Sequence, residues 1–390
     1  MGAASPPDVG LAPRVCGATF EAMDTYDPLV RCGALLSVGV RGAAAGDPRL
    51  EADLDTCAVV GVGSIVLFDL DVPRFRAAKA EGADDVEARR AAERNVQSPE
   101  QLRALCAYLR RRLGDGLVIL VDQEGGEVAR LRPERGFEAC LPSATELATW
   151  SPGRRREAAR RQAREIAGLG IDGNLAPVVD LGVRPDGPLV RKGRTFSSRS
   201  DVVVECARDV IAGHSSEGVA TCLKHFPGLG SATLDTHIAL PVLGEAFDPC
   251  LELAPYRTLL RGKDSPPMVM AAHAVWTEID AERPASASHA VLTGILRGEL
   301  GFTGVISTDS LDMGGATPGG GGSAEAAVAS MRAGADLLMD AVNLDGPREG
   351  LPHPAILLAT ALAEAVESGA LEGGFEEVDY RAARVRSLRR

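Results

Sequence analysis

The sequence predicts an α/β protein built as one TIM-like (β/α)8 barrel. Three observations lead there. Short β-branched apolar runs recur along the chain, eight in all. Longer amphipathic stretches rich in Ala, Arg and Glu separate them. The chain of 390 residues, 45% of them hydrophobic, is long enough to bury one large core.

In order, the apolar runs are residues 35–40, 64–68, 117–121, 173–179, 219–223, 268–272, 304–307 and 335–339. Continuous apolar runs of this length suit strands covered on both faces. Helical stretches between them include residues 99–112, 153–167, 201–216 and 324–333. The first of these opens with Ser98-Pro99-Glu100, an N-cap followed by proline at the first helical position. Strand and helix in alternation specify a parallel sheet, and eight such units specify a closed barrel. The expected domain is residues 31–390, with residues 1–30 as an N-terminal extension and a last helix over 380–390. Two segments depart from regular spacing. Residues 71–94 read as a charged surface insertion with a short helix. Residues 314–322 hold Pro318 and four consecutive glycines, and read as a floppy loop or a lid on the active face.

Composition narrows the partners. The net charge is -12, and the chain has no long Lys/Arg block. That disfavours nucleic acid and anionic membrane, and favours a small neutral ligand. The eight cysteines, Cys16, Cys32, Cys57, Cys106, Cys140, Cys206, Cys222 and Cys250, contain no C-x-x-C pair and read as reduced, mostly buried thiols. Residues 1–20 lack an apolar signal region, and no run approaches the ~20 apolar residues of a membrane span. A cytoplasmic, monomeric protein is the expectation.

Polar residues just beyond barrel strands face the site. After the third run stands Asp122-Gln123-Glu124-Gly125-Gly126, with Arg130 and Arg132 behind it. Asp180 and Arg194 follow the fourth run. Lys224-His225-Phe226-Pro227-Gly228 and Asp235-Thr236-His237 follow the fifth. The sixth ends near His273 and the seventh at Asp309. One such carboxylate alone is as well explained by a helix cap. Five strands delivering Asp, Arg, Lys and His to one rim describe a cleft polar enough to bind a sugar. His214, His289 and His353 read as surface residues, and His273 as structural. Gly61-Val62-Gly63 lacks the third glycine of a dinucleotide site and reads as a tight turn before a strand. No H-E-x-x-H or G-x-S-x-G occurs, and His225 and His237 lack the neighbours of a zinc site.

These motifs, together with Leu175-Ala176-Pro177-Val178-Val179-Asp180, Gly193-Arg194-Thr195-Phe196 and Thr308-Asp309-Ser310-Leu311-Asp312-Met313, resemble glycoside hydrolase family 3 in its single-domain bacterial β-N-acetylhexosaminidase branch. They stand in the family's order from Leu35 onward. The resemblance implies a nucleophile at Asp309, a general acid/base at His237 and its orienting carboxylate at Asp235. It implies sugar-binding roles for Asp122, Arg130, Arg194, Lys224 and His225, and neither metal nor organic cofactor. An imidazole suits proton transfer near neutral pH. A nearby Asp can select its tautomer and stabilise the imidazolium. Two positions depart from the branch pattern. Leu229 follows Lys-His-Phe-Pro-Gly where His is usual, and Glu127 follows Gly-Gly where Arg is usual. Phosphorolysis and a non-catalytic sugar-binding barrel remain as alternatives. A β-glucosidase of the two-domain branch fits less well.

Overall fold

The computed structural model describes residues 26–233, 240–243, 247–262, 264–316, 322–343 and 353–389. Eight parallel strands follow the eight apolar runs. They are β1 (Leu36–Gly39), β2 (Ser64–Leu67), β3 (Val118–Val121), β4 (Gly173–Asn174), β5 (Ala220–Phe226), β6 (Met268–Ala271), β7 (Val305–Thr308) and β8 (Leu338–Asp340). Each pairs with its sequence neighbour, and β8 returns to β1 through Leu36 opposite Leu338. A parallel bridge between Ser307 and Leu337 joins β7 to β8 and completes the ring.

Residue alternation sorts the core into two shells. Val66, Val118, Leu120, Cys222, Met268, Met270, Leu337 and Met339 form an inner apolar cluster. Ile65, Leu67, Ile119, Val121, Leu223, Val269, Ile306 and Leu338 belong to a larger outer cluster with the helices. Val385 and Leu388, from the end of the chain, join the inner cluster.

Helices Pro99–Leu113, Pro152–Gly168, Ser200–Ser216 and Ser323–Ala333 agree with the sequence reading to within a residue or two. The Ser98 hydroxyl caps the first of them by accepting from the Gln101 amide at 3.2 Å. Other elements differ from expectation. Residues 71–94 hold two helices, Val72–Ala80 and Asp85–Ala91, the second closed by a capping box between Asp84 and Glu87. The last helix runs Gly374–Arg386 and so starts before the expected 380, with Phe375 packed against the core and Val378 buried ahead of that point. Of the loop at 314–322, residues 317–321 lie outside the described residues.

Two histidines read as surface residues are buried. His214 is fully buried and accepts from Asn174 Nδ2 at 3.0 Å while its Nδ1 donates to the Val210 carbonyl at 2.9 Å. Burial pushes its pKa down to about 4, so the ring is neutral. His353 bridges the Gly39 carbonyl at 2.9 Å and the Ala355 amide at 3.2 Å. Both follow the rule that buried polar groups find partners, and neither partner is visible from the sequence around it. His289 is exposed. Among the described cysteines all are free, and Cys140 and Cys250 are the ones not fully buried. Among the described residues, no helix is long and apolar enough to cross a membrane.

Arg94 ties the first and last βα loops together. Its buried guanidinium donates to the Val40, Ala341 and Val342 carbonyls at 2.8, 2.9 and 3.3 Å. Burial lowers its pKa to about 10, which leaves it protonated at neutral pH. Arg94→Met strips donors from all these carbonyls. We expect a loss of about 3 kcal/mol or more, seen as a lower denaturant midpoint at unchanged m-value. A loss under about 0.5 kcal/mol would show the guanidinium to be dispensable.

Candidate active site

The carboxyl ends of the strands surround a cavity of about 360 Å³, lined by Asp122, Arg130, Arg194, Lys224, His225 and Asp309 among others. That volume is in the range of small-molecule sites, roughly 300–1,000 Å³. The structure therefore brings together every expected site residue that it describes. Asp235 and His237 lie outside the described residues.

β3 delivers Asp122, and the antiparallel hairpin of Gln123–Gly125 with Val128–Ala129 folds back beside it. Gly125 and Gly126 make the turn at φ +110° and +56°. A Cβ on Gly125 would meet the Pro142 carbonyl at 2.4 Å, so only glycine fits. Gln123, fully buried, accepts from the Arg130 and Leu131 amides at 2.8 and 2.9 Å and donates to the Leu131 carbonyl at 3.0 Å. That lock brings Arg130 Nη2 to 3.3 Å from Asp122 Oδ2. Asn174 at the end of β4 pairs with the Gln123 backbone in both directions at 3.0 Å, and His214 supports Asn174 from behind.

β5 contributes two adjacent residues. Its register against β6 slips between Leu223 and Phe226, so the strict alternation of faces is broken and both Lys224 and His225 line the cavity. Lys224 Nζ lies 2.9 Å from Asp122 Oδ1 and 2.7 Å from Glu124 Oε1. Arg194 grips Glu124 with both arms of its fork, Nε to Oε2 at 2.9 Å and Nη2 to Oε1 at 2.8 Å. The same Nη2 is 3.4 Å from His225 Nε2. His225 Nδ1 is 2.7 Å from Asp180 Oδ2. Asp180 also accepts from the His225 amide at 3.2 Å and the Leu229 amide at 2.8 Å.

The charges are fixed by this packing. Burial alone would raise Asp122, but Lys224 and then Arg130 override it and hold the carboxyl below its ordinary value. Glu124 is driven far down against burial by Arg194 and Lys224. Against their own burial, Lys224 is pushed up by Asp122 and Glu124, and Arg194 by Glu124. At neutral pH the cradle is a set of full charges in a dry setting.

Asp309 follows β7, half-buried, with its amide on the Ala271 carbonyl at 3.0 Å and its Oδ1 accepting from the Ser310 amide at 2.8 Å. His273 sits behind it. Its Nδ1 meets Ser286 Oγ at 2.7 Å and its Nε2 meets the Ser310 carbonyl at 3.0 Å, so both ring nitrogens are occupied in supporting the backbone behind Asp309. Sequence reasoning missed Glu124, the hub between Lys224 and Arg194. It also missed Asp69, which follows β2 and lies 3.6 Å from Arg130. Glu124 stands inside a motif already singled out, so its neighbours were the available signal. Asp69 has no local signal beyond its place after a strand. Leu229 lines the cavity as an apolar wall, and Glu127 lines it at the hairpin turn. No cluster of three or more His, Cys, Asp or Glu side chains among the described residues is arranged to hold a metal ion.

Removing Lys224 tests this cradle. Asp122 and Glu124 have depressed pKa values, so their ion pairing stabilises the fold above the ordinary carboxylate values of 3.8 and 4.5 and is lost as the pH falls through the lowered ones. In Lys224→Met both carboxyls lose a cation and titrate higher. The variant's thermal stability deficit should be largest at neutral pH and narrow as the pH approaches about 4. A deficit independent of pH would show that Lys224 does not hold those charges.

Known proteins share this fold. Residues 61–388 match the model of the glycosyl hydrolase family 3 N-terminal domain. A protein of Tolumonas auensis named beta-hexosaminidase is 35% identical over 284 residues, which are 69% of this chain and 80% of that one. The structure of a family 3 β-N-acetylglucosaminidase from Paenibacillus sp. superposes with a TM-score of 0.76 at 30% identity, covering 92% of this chain and 61% of that one. A β-N-acetylhexosaminidase from Beutenbergia cavernae gives a TM-score of 0.74 at 26% identity, covering 92% and 97%. The chain belongs to glycosyl hydrolase family 3.

Proposed function

We propose that this protein is a retaining exo-β-N-acetylhexosaminidase that releases terminal β-linked N-acetylglucosamine through a covalent glycosyl intermediate on Asp309. The observation that carries the reading is the shared cavity. Asp309 opens onto the same space as Asp122, Arg130, Arg194, Lys224 and His225. The names of the Tolumonas auensis and Paenibacillus sp. relatives support an acetamido sugar as substrate.

In this reading Asp309 attacks the anomeric carbon while His237, oriented by Asp235, gives its proton to the departing glycosidic oxygen. His237 then takes a proton from water, the water oxygen bonds the anomeric carbon, and Asp309 departs as a carboxylate. Asp122 is held as a carboxylate by Lys224 and Arg130, so it is an acceptor for sugar hydroxyls. An ammonium carries three donors. Asp122 and Glu124 take two of those of Lys224, which leaves one for the sugar. Arg130, Arg194 and His225 complete the hydrogen-bonding wall. We assign this activity to one barrel over residues 31–390, with residues 1–30 as an extension. The expected setting is the cytoplasm, on fragments of recycled cell wall.

A chromogenic β-N-acetylglucosaminide and the matching glucoside, offered with and without phosphate, test the proposal. Wild type should turn over the acetamido sugar, and Asp309→Ala should lose at least ~1,000-fold in kcat. Equal turnover by both proteins would remove Asp309 from the chemistry. A preference for the glucoside would remove the hexosaminidase reading, and release of sugar 1-phosphate would make the enzyme a phosphorylase.

A further inference from the structure

Glu252 closes the short helix Pro249–Glu252 between β5 and β6 and takes no part in the cradle. It is 3% exposed, and neither carboxyl oxygen has a hydrogen-bond partner among the described residues. An unpaired buried carboxyl is costly, so its retention calls for a reason. The surface it lies against is the backbone of residues 228–231. A Cβ on Gly228 would meet Glu252 Oε2 at 2.7 Å, and one on Gly230 would meet Oε1 at 2.9 Å and Oε2 at 3.0 Å. Only glycine allows a loop to lie this close to a carboxyl. The Ser231 hydroxyl, which lies beside the Glu252 carboxyl, and the Tyr256 hydroxyl are also buried and lack an aligned hydrogen bond. From the other side Asp180 grips the same loop through the Leu229 amide at 2.8 Å.

The loop is thus held between two carboxyls in opposite circumstances. Asp180 is saturated with donors. Glu252 has no aligned hydrogen bond, although the Ser231 and Gly230 amides and the Ser231 hydroxyl lie near enough to favour its charged form. Its titratable neighbours are Asp180, on the segment after β4, and Tyr256, one turn further along the chain. Burial first, and Asp180 second, push its pKa up to about 8.

We propose that Glu252 is a positioning residue for the loop from Gly228 to Thr233, which continues in sequence to Asp235 and His237, and that loss of its proton loosens this loop from the barrel. Its consequence for turnover rests on the roles proposed above for Asp235 and His237; the loosening itself does not. Against the packed loop the acid form is favoured, whereas a loosened loop admits water and returns Glu252 toward its ordinary value of 4.5. A group that holds its proton more tightly in one state supports that state fully below the ordinary pKa and withdraws support as the pH rises to the elevated one. Loosening therefore grows from about pH 4.5 to about pH 8 and then levels off. Glu252→Gln keeps the shape and stays neutral throughout.

The test is amide hydrogen exchange of residues 226–233 in the full chain, corrected for intrinsic rates, from about pH 4 to about pH 9. It is run beside kcat and KM for the chromogenic β-N-acetylglucosaminide. In wild type, protection of this segment should fall at least about tenfold across the window and level off near pH 8. In Glu252→Gln protection should be flat, and kcat should hold to higher pH than in wild type with little change in KM. Glu252→Ala should lose protection at every pH, and the Gln variant should restore it. Protection that is flat in wild type, or that falls equally in wild type and Glu252→Gln, overturns the proposal. If the exchange step is present but wild type leaves the sugar untouched, the functional reading fails and the positioning role stands. Normal turnover without the step removes the positioning role alone.

Discussion

Everything at the mouth of this barrel depends on one ammonium group in a dry place. Lys224 is 3% exposed along its side chain, and its Nζ is shared between Asp122 and Glu124. Desolvating a lysine is expensive unless carboxylates compensate it at close range. Here they do, and the compensation runs both ways. The ammonium keeps Asp122 ionised in a position where burial would neutralise it. Glu124, satisfied by Lys224 on one side, anchors the Arg194 fork on the other. Three segments distant in sequence are thereby fixed relative to one another. A binding surface for hydroxyls needs that rigidity, because hydrogen bonds weaken steeply with misalignment.

Support for this cradle extends outward in layers of hydrogen bonds. His214 holds Asn174, Asn174 holds the Gln123 backbone, and Gln123 locks the hairpin that presents Arg130. Asp180 holds His225 and the start of the loop beyond β5. None of these supporting groups is on a helix surface facing solvent. Asn174, Gln123 and Asp180 lie at or just beyond strand ends, and His214 reaches them from the buried face of the helix Ser200–Ser216, where an unpaired donor or acceptor costs most. Arg94 does the same for the join between β1 and β8, by satisfying carbonyls from both sides of the barrel seam. Charged and polar groups inside this barrel therefore serve as struts as well as site residues.

The strands were the most legible part of the sequence, because a strand buried on two faces leaves an uninterrupted apolar run. Helices with an N-cap signal, such as the one opening at Ser98, were nearly as clear. The segment between β2 and β3 was not. Its helices are short and charged, and Val72–Ala80 buries no residue at all, so no periodic stripe betrays it. For the candidate site, the motif residues Asp122, Lys224, His225, Arg194 and Asp309 could be named in advance, since each stands at or after a strand end or in a motif with others. Glu124 and Asp69 could be seen in the sequence, but their connections could not. His214 and His353 were misread, because neither a helical stretch nor a loop marks in its sequence whether a histidine ring turns inward.

The sequence by itself determined the class of fold and the set of chemical groups at its mouth. Apolar period, capping residues and motif order are local or additive properties of the chain, and they survive reading along one dimension. Tertiary structure decided which groups share a charge and which are left unpaired. Two carboxyls near the loop after β5 illustrate the difference. Asp180 collects three donors, two amides and an imidazole, from His225 and Leu229, while Glu252 lies against the loop backbone with no aligned hydrogen bond. In the sequence both are acidic residues beside apolar ones. Their opposite circumstances arise because ionisation depends on burial and on neighbours within a few ångströms, and those neighbours are chosen by the closing of the barrel rather than by adjacency along the chain.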